Sequence, residues 1–281
     1  MNKPLISVII NCFNGEQFLE EAIQSVVNQT YTNWELIFWD NQSEDNSKNI
    51  YSKFSDPRLN YYYAEEHTTL GRARNLAIEK AKGEWIGFLD VDDLWWKDKL
   101  EKQVSLIDSD TQIGFIYGKS DIIFSNNENK RISKIEDLPE GDIFEDLLKD
   151  NFVNYLSALI NKEKLAKIPK IPDNFNQVED YYIFLHLSKS YKVRALQEIC
   201  CSYRLHDNNL SRREPIKGAK ESLMLIKSFL SGRESKKALA NKLSSLAIAQ
   251  IREKEFINAL RTLSEGGFIS FIQRILIYIF R

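Results

Sequence analysis

Three carboxylates stand within four residues in Asp90-Val91-Asp92-Asp93, directly after an apolar and aromatic run. That run predicts a strand buried on both faces, and open α/β sheets bind ligands beyond the carboxyl ends of such strands. Two like charges about 4 Å apart in a partly buried site repel by roughly 4 kcal/mol. The acidic group therefore indicates either a bound cation or a solvated turn in which Asp93 caps the next helix. Capping alone leaves Asp90 and Asp92 without a role.

The chain before this acidic group alternates between strand and helix patterns. Short β-branched or aromatic runs predict strands, and apolar residues at helical spacing predict the helices between them. The predicted strands are 6–10, 35–39, 59–63 and 84–89, and the predicted helices are 18–27, a short one reaching Phe54, and 71–82 with Gly83 as its C-terminal cap. Because the connections are short, we predict βαβ units on a mostly parallel sheet flanked by helices, an α/β fold.

The second half of the chain has a less regular pattern. We predict a helix with Leu100, Val104 and Ile107 inward, a hairpin of 113–117 and 121–124 across Gly118-Lys119-Ser120, a helix over 142–148, a strand over 152–160, a helix over 179–189 and extended chain over 193–203. From Pro215 onward only helical periodicity remains. We therefore place a boundary near Ser211, between an α/β domain over 1–211 and an all-helical region over 212–281.

Polar clusters recur at the predicted edge of the sheet, in Asn11 to Gly15, Asp40 to Ser43, Gly71 to Asn75 and Asp90 to Asp93. An isolated Asp after a strand is usually a turn residue, but four clusters at one edge favour a binding site. The ring of Phe13 could stack on a nucleobase or lie in the core beneath the loop. Asp40 could accept a hydrogen bond from a base N–H or a ribose hydroxyl, and Arg72 and Arg74 add charge suited to phosphate.

Six segments, in this order, resemble the successive signatures of the family 2 inverting glycosyltransferases, which have the Rossmann-like GT-A fold. The segments are 7–14, 39–43, 73–75, 90–93, Glu179-Asp180-Tyr181, and Tyr203-Arg204-Leu205-His206 with 209–211. They span residues 5–211 of the chain. No single segment is decisive, but six in the right order are specific.

The resemblance implies an enzyme of the hexosyltransferase type that moves a sugar from a nucleotide-diphosphate donor to a hydroxyl of a glycan or lipid-linked acceptor, in bacterial surface polysaccharide or oligosaccharide synthesis. It also implies a role for each matching residue. Donor binding would involve Asn11, Phe13, Asp40, Arg74, Asp90 and Asp92; metal binding Asp92, Asp93 and His206; and general base catalysis Asp180. Glu179 is an alternative acid that could orient the acceptor.

The chemistry of such a transfer requires a cation, since carboxylates and a diphosphate repel one another. A divalent ion between them reverses the sign of this interaction and stabilises the departing diphosphate. Oxygen ligands suit Mn²⁺ or Mg²⁺, and a histidine ligand favours Mn²⁺. The base must take the proton of the attacking hydroxyl, and Asp180 at a helix start should stay ionised.

The sequence departs from the family pattern around the predicted nucleotide pocket. Asn11-Cys12 replaces Pro-Thr, Asn41-Gln42-Ser43 replaces Asp-Gly-Ser, and Glu65-Glu66-His67 replaces Glu-Asn. These changes leave the nucleotide open, with a UDP-sugar the favoured donor.

Several other functional classes find little support. Neither GxGxxG after the first strand nor GxxxxGK[ST] occurs, which disfavours a dinucleotide cofactor or a P-loop. A sugar-phosphate nucleotidylyltransferase expects a glycine-rich basic loop where 11–17 has one glycine and no basic residue. A non-catalytic carbohydrate- or partner-binding protein on the same fold is the remaining alternative, although all the predicted acids are present. An acidic body without a basic stripe gives no support for nucleic-acid binding.

The net charge of −2 conceals an asymmetry. Residues 212–281 hold 14 Lys/Arg against 6 Asp/Glu, a net +8, and residues 1–211 hold 24 against 34, a net −10. Residues 268–281 are apolar but only roughly 20 Å long as a helix, short of a ~30 Å bilayer core. The segment 266–281, which contains them, is therefore too short to span a bilayer. It predicts either peripheral membrane contact or a helix packed on its neighbours. Only three cysteines occur, Cys12 and the adjacent pair Cys200-Cys201, too few for a disulfide framework. With no signal peptide recognised, we predict a cytoplasmic protein, at the inner face of the membrane if the tail binds lipid.

Overall fold

The computed structural model describes residues 3–107, 112–124, 137–229, 233–267 and 270–272. The chain packs into two compact units. The first comprises Met1–Ile143, Val153–Phe175 and His186–His206, and the second comprises Phe144–Phe152, Asn176–Leu185 and Asp207–Arg281. The second unit thus takes in two segments that precede the predicted boundary near Ser211, and that boundary itself stays a prediction.

A mixed eight-stranded sheet dominates the described part of the first unit. Its strands are β1 (Ile6–Cys12), β2 (Trp34–Asp40), β3 (Leu59–Tyr63), β4 (Trp85–Phe88), β5 (Leu94–Trp95), β6 (Ile113–Phe124), β7 (Leu159–Asn161) and β8 (Lys192–Leu205). The strand order is β3-β2-β1-β4-β7-β6-β8-β5. The first four neighbours are parallel, as predicted, so the carboxyl ends of β1, β2 and β4 meet at one edge. β7 is antiparallel to both β4 and β6.

Some of the helices flank this sheet within the first unit, and others form the second unit. In chain order they are α1 (Leu19–Val27), α2 (Ser47–Tyr51), α3 (Leu70–Lys80), α4 (Lys99–Ser105), α5 (Phe144–Lys149), α6 (Lys162–Leu165), α7 (Glu179–Ser188), α8 (Leu210–Arg213), α9 (Pro215–Ser228), α10 (Arg233–Arg252) and α11 (Phe256–Thr262). α1 shows why the sequence folds this way, because its buried residues, Leu19, Ala22, Ile23 and Val26, fall on one face at helical spacing. They join Ile6, Val8 and Ile10 of β1 in the main core.

Three local predictions were wrong, two of them at glycines. Residues 113–124 form one continuous strand with a register irregularity at Gly118, where a Cβ would lie 2.6 Å from Cys200 Sγ. Gly83 does not cap α3, which ends on Ala81 in an extended conformation; a Cβ on Gly83 would lie 2.6 Å from Ser7 N. Both glycines therefore permit close approach rather than a turn.

The third wrong prediction is the strand over 152–160. Most of that segment is irregular chain and a 3₁₀ turn at Tyr155–Ser157, and only its end enters β7. A buried apolar run gives no periodicity that separates a strand from other buried chain.

From Pro215 onward the described residues form helices joined by short turns, as predicted. α9 and α10 share a small core of Leu223, Leu243 and Leu246, and α10 and α11 pack through Ala247, Ala259 and Leu263. α11 also has an outer face on which Phe256, Ile257 and Leu260 are 58%, 77% and 69% exposed. Within the described residues no helix combines the length and the apolar character needed to cross a bilayer. Most of the predicted tail segment 266–281 lies outside the described residues.

Candidate functional site

Two loops at the carboxyl edge of the sheet are joined by reciprocal hydrogen bonds. Asn14, in the left-handed region at φ 53°, donates its backbone N–H to Ser43 Oγ (3.0 Å), while its own Oδ1 accepts from Glu44 N (2.8 Å). Glu16 N donates to Asp45 Oδ2 (2.8 Å), and Glu16 Oε2 accepts from Asn46 N (3.0 Å). The loops after β1 and β2 therefore form a single bonded frame.

Phe13 stands on the outside of this frame. Its side chain is 50% exposed, so the alternative of a core residue is wrong. Its ring lies 4.2 Å from the ring of exposed His67, between centroids, at a tilt of 54°. His67 Nδ1 in turn contacts the Asn41 carbonyl at 2.9 Å. An aromatic surface is thus available beside the frame.

Asp40 is fully buried, with both carboxylate oxygens in use. Oδ1 accepts from Ser43 N (2.7 Å) and Oδ2 accepts from the Tyr61 hydroxyl (2.6 Å). Burial first, and then this bond to Asp40, raises the pKa of Tyr61, so its hydroxyl stays a donor. The predicted hydrogen bond from a base N–H to Asp40 stays a prediction; in this structure Asp40 shapes the turn after β2 by accepting from Ser43 N.

Two of the residues that depart from the family pattern anchor a neighbouring segment. Gln42 lies in the left-handed region at φ 67° and donates its side-chain amide to the carbonyls of Ala64 (3.3 Å) and Glu65 (2.8 Å). The Asn41 amide donates to Thr68 O (2.8 Å), and its Oδ1 accepts from Thr68 N (3.2 Å). These four hydrogen bonds fix the chain that presents His67.

Asn11, the residue before the last of β1, carries a side-chain donor without a partner among the described residues. Its Nδ2 is buried and has no hydrogen-bond partner among the described residues. A buried donor left without a partner costs about 1–3 kcal/mol. The predicted donor-binding role of Asn11 stays a prediction.

The acidic group after β4 is held by a buried arginine. Arg74 Nη2 lies 3.0 Å from Asp90 Oδ1, and the Arg74 side chain is 4% exposed against 44% for Asp90. The Arg74 guanidinium also stacks 4.2 Å above the Tyr155 ring. Arg74 therefore orients Asp90.

The other two acids differ in their partners. Asp92 Oδ2 lies 2.8 Å from His206 Nε2, and burial, followed by the charge of Asp90, raises the pKa of Asp92. Asp93 is 1% exposed; its Oδ1 accepts from Arg204 N (2.7 Å), and its Oδ2 has no partner among the described residues. Burial and the neighbouring carboxylates hold the pKa of Asp93 well above its usual range.

Arg204 connects this acidic group to α1. Its Nε donates to the Asp92 carbonyl (2.8 Å), and its Nη2 pairs with Glu21 (2.8 Å). Its guanidinium lies 4.4 Å above the Phe18 ring. Sequence reasoning named Arg204 only as part of a motif and missed Glu21, for which the sequence offers no signal.

The residues around Asp92 determine whether the site fits a divalent cation. Among the described residues, no three side chains of metal-binding type gather as a ready cluster. Asp92 and His206 are nevertheless in contact, and one or two protein ligands suffice where phosphate and water complete the shell. Burial and the charge of Asp90 both disfavour the ionised form of Asp92. The positive charge of a cation would offset that cost, so Asp92 and His206 fit such an ion. The predicted ligand role of Asp93 stays a prediction.

The predicted base belongs to the second unit. Asp180 lies in the first turn of α7, is half-buried, and accepts from Tyr181 N (2.6 Å), whereas the preceding Glu179 is 3% exposed. The Tyr181 hydroxyl anchors this turn by donating to Leu147 O (2.7 Å). The helix dipole favours carboxylates at this position, and the role of Asp180 as base stays a prediction.

Asn75 and Gly71 also have structural roles that the sequence did not reveal. Asn75 both donates to Ile171 O (2.8 Å) and accepts from Ile171 N (3.3 Å). Gly71 N donates to Phe175 O (3.1 Å), and a Cβ there would lie 2.9 Å from the carbonyl oxygens of Pro172 and Phe175. α3 thus binds the segment 171–175.

Comparison with known proteins gave consistent results. Residues 7–168 match the family model described as Glycosyl transferase family 2. A relative in Escherichia coli, the UDP-Glc:alpha-D-GlcNAc-diphosphoundecaprenol beta-1,3-glucosyltransferase WfgD, is 34% identical over 213 residues, which cover 75% of this chain and 81% of the relative.

Two solved structures share the fold. The mannosyltransferase PcManGT from Pyrobaculum calidifontis, in complex with GDP-Man and Mn2+, superposes with a TM-score of 0.67 at 16% identity, covering 95% of this chain and 76% of that chain. TarS 1-349 of S. aureus, in complex with UDP-GlcNAc, superposes with a TM-score of 0.60 at 19% identity, covering 90% and 72%. At these identities the likeness concerns the fold, and the predicted GT-A architecture is confirmed.

Proposed function

Since the chain belongs to glycosyl transferase family 2 and is a glycosyltransferase, we propose that it moves a sugar, with inversion, from a UDP-sugar to a hydroxyl of a lipid-linked or glycan acceptor. The observation that most supports this proposal is the acidic edge, where Asp90, Asp92 and Asp93 meet two buried arginines and a histidine. The name of the 34% identical relative supports both substrate classes, because that enzyme uses UDP-Glc and a diphosphoundecaprenol acceptor.

The donor would lie along the bonded loops after β1 and β2. Phe13 offers a stacking face and Asn11 a donor without a partner among the described residues. Asp90, fixed by Arg74, has an exposed carboxylate suited to ribose hydroxyls. Asp40 supports this pocket through Ser43 and Tyr61.

Asp92 and His206 would hold Mn²⁺ or Mg²⁺, with Asp93 as a further acid beside them. Such an ion, when bound, supplies positive charge that neutralises the diphosphate and stabilises it as the leaving group. The carboxylate and imidazole donors suit Mn²⁺ in particular.

On the acceptor side, Asp180 would act as the general base. The acceptor oxygen forms a bond to the anomeric carbon as the bond from that carbon to the diphosphate oxygen breaks, and the hydroxyl proton passes to the Asp180 carboxylate. Attack from the face opposite the leaving group inverts the anomeric configuration. Glu179 is more buried than Asp180, which favours Asp180 as the base.

A lipid-linked acceptor would bring the protein to the inner face of the cytoplasmic membrane. The proposed contact runs through the apolar end 266–281, and the net charge of +8 over 212–281 would attract anionic lipid headgroups. Exposed Phe256, Ile257 and Leu260 on α11, which precedes this segment in the sequence, add apolar surface. Flotation with vesicles of phosphatidylglycerol tests this contact: deletion of 266–281 should reduce binding, and unchanged binding would contradict a role for this segment.

The activity itself is tested with a panel of nucleotide sugars. Binding of each, with Mn²⁺ or Mg²⁺, is followed by the thermal shift of the full chain, and transfer is followed by release of the nucleoside diphosphate with a polyprenyl-diphosphate sugar as acceptor. We expect a UDP-sugar to stabilise the protein and to be consumed. A protein that binds sugars or glycans but no nucleotide sugar would contradict the proposal and favour a non-catalytic binding protein.

A further inference from the structure

A carboxylate of the second unit holds the chain just before the predicted base. Glu221 Oε2, on α9, accepts from Asn176 N (3.0 Å) and from Gln177 N (2.9 Å), two residues that lead into α7. We propose that Glu221 is a positioning residue for sugar transfer, because it fixes the backbone that carries Asp180. This inference rests on the proposed function, in which Asp180 is the general base.

The two backbone N–H groups are the partners that compensate the burial of Glu221. Its side chain is 7% exposed, and no lysine, arginine or histidine among the described residues pairs with it. Burying a charge is costly unless the charge is paired or hydrogen-bonded. Hydrogen bonds to a charged acceptor are roughly twice as strong as those between neutral groups. Glu221 therefore holds the segment 176–177 firmly, at a place where packing alone would favour an apolar side chain.

Helix α9 also holds the side chain of Gln177. The Gln177 amide donates to the carbonyl oxygen of Glu214, the N-cap residue of α9 (3.0 Å). A Cβ on Gly218 would lie only 2.5 Å from Gln177 Oε1. The glycine thus allows this side chain to lie directly against the helix. Both the backbone and the side chain of Gln177 are fixed by the same helix.

The fixed segment continues into α7 without a loop between them. Only Val178 separates it from the helix; Val178 is 4% exposed, and its carbonyl accepts from Tyr182 N (2.8 Å). On the other side of Asp180, the Tyr181 hydroxyl donates to Leu147 O (2.7 Å). The first turn of α7 is therefore anchored before and after Asp180, and Glu221 provides the anchor before it.

The position of a general base affects the rate of transfer strongly. The base must lie within about 2.6–3.2 Å of the oxygen whose proton it takes. A misplacement of about 1 Å can cost roughly 10²-fold in rate, even when its cause is far from the reacting atoms. The proposed donor-binding residues belong to the first unit. Loss of the bonds from Glu221 should therefore lower kcat and leave the KM for the donor unchanged.

The test measures steady-state transfer by the full chain, with the UDP-sugar that the nucleotide-sugar panel identifies and a polyprenyl-diphosphate sugar as acceptor. In Glu221→Leu we expect kcat to fall by about 10²-fold while the donor KM stays the same. Glu221→Gln should restore most of kcat, because its Oε1 can accept from both N–H groups. Lys220→Leu, which changes the exposed neighbour on α9, is the matched control and should alter neither quantity.

A second measurement separates positioning of the base from a general effect on folding. In an Asp180→Asn background, Glu221→Leu should cause no further loss of the residual rate, because Glu221 acts through Asp180. A residue that only stabilised the fold would lower the rate in both backgrounds. Thermal unfolding shows whether each variant is folded. If Glu221→Leu does not fold, Glu221→Asp, which withdraws the carboxylate by one methylene, takes its place in both measurements, with a smaller fall in kcat expected.

Two results would overturn the role of Glu221. One is a folded Glu221→Leu or Glu221→Asp variant with the wild-type kcat, and the other is an equal further loss of rate in the Asp180→Asn background. An Asp180→Asn variant with the wild-type kcat would instead contradict the proposed base. A wild-type chain that consumes no nucleotide sugar would contradict the proposed function. Neither of the last two results could arise from an error about Glu221 alone.

Discussion

The ends of β2 and β4 place acidic residues at the same edge of one sheet. The two ends differ in how far their carboxylates are satisfied by neighbouring hydrogen-bond donors and charges. Asp40, after β2, is fully buried and accepts one hydrogen bond at each oxygen. After β4, three carboxylates lie close together, and burial and mutual repulsion raise the pKa of both Asp92 and Asp93. The donors around each acid therefore decide whether its carboxylate is satisfied by its own neighbours or gains from an added positive charge.

The difference lies in the balance of charge. At the end of β2, two neutral donors satisfy one carboxylate and hold the following turn. At the end of β4, Arg74 and Arg204 face three carboxylates, and Asp93 Oδ2 has no partner among the described residues. In the first arrangement each carboxylate oxygen has a hydrogen-bond donor without any ligand. The second gains stability from an added positive charge.

The largest expected effect comes from removing a charge at the end of β4. In Asp92→Asn, transfer measured as kcat/KM should fall by about 10³-fold or more, because the contact between Asp92 and His206 would no longer hold a cation against the diphosphate. The matched control is Asp98→Asn, whose carboxylate pairs with Lys102 on the surface and should leave transfer unchanged. A loss of less than tenfold in Asp92→Asn would contradict the proposal that Asp92 takes part in transfer.

The arginine that supports the acidic group should matter for folding as well. Arg204→Met should lower the free energy of unfolding by about 3 kcal/mol, because it removes the positive charge beside buried Asp92 and Asp93 and the bond from Nε to the Asp92 carbonyl. Urea unfolding measures this change. The exposed pair Lys53 and Glu20 provides a control, since Lys53→Met should change stability by less than about 1 kcal/mol. Equal effects of both substitutions would contradict the role of Arg204.

The hydrogen bonds of Asp40 should contribute to the free energy of unfolding. Asp40→Asn should cost about 1–2 kcal/mol in the free energy of unfolding, because an amide cannot accept from both Ser43 N and the Tyr61 hydroxyl. Tyr61→Phe should remove part of the same free energy, and the double variant should lose less than the sum of the two changes. Additive losses in this double-mutant cycle would mean that the two side chains do not interact.

The smallest effect is expected beside Asp40, at Gln42. Gln42→Gly relieves the left-handed backbone at φ 67° but removes two hydrogen bonds to the carbonyls of Ala64 and Glu65. These changes oppose each other, and we expect the free energy of unfolding to change by less than about 1 kcal/mol. Gln42→Ala keeps the strain and loses the bonds, so it should be less stable than Gln42→Gly. The opposite order in urea unfolding would mean that backbone strain is not important at this position.

The sequence by itself determined the alternation of strands and helices, the parallel order of the first half, the helical end and the family. These features depend on local periodicity, on residue type and on the order of motifs, all of which are visible along the chain. The positions of Asn11, Phe13, Asp40 and Asp90–Asp93 at strand ends also followed, because parallel strands bring their carboxyl ends to one edge.

Only the tertiary structure decided which of these side chains find hydrogen-bond or ion-pair partners. The contact between Asp92 and His206 joins residues 114 positions apart, and the bond from Arg204 to Asp93 spans 111. Gly83 and Gly118 read as turn residues in the sequence, yet each allows backbone or sulfur of a distant strand to approach closely. A carboxylate's burial and its donors depend on such distant neighbours, so the different roles of the acids after β2 and β4 were set only when the sheet assembled.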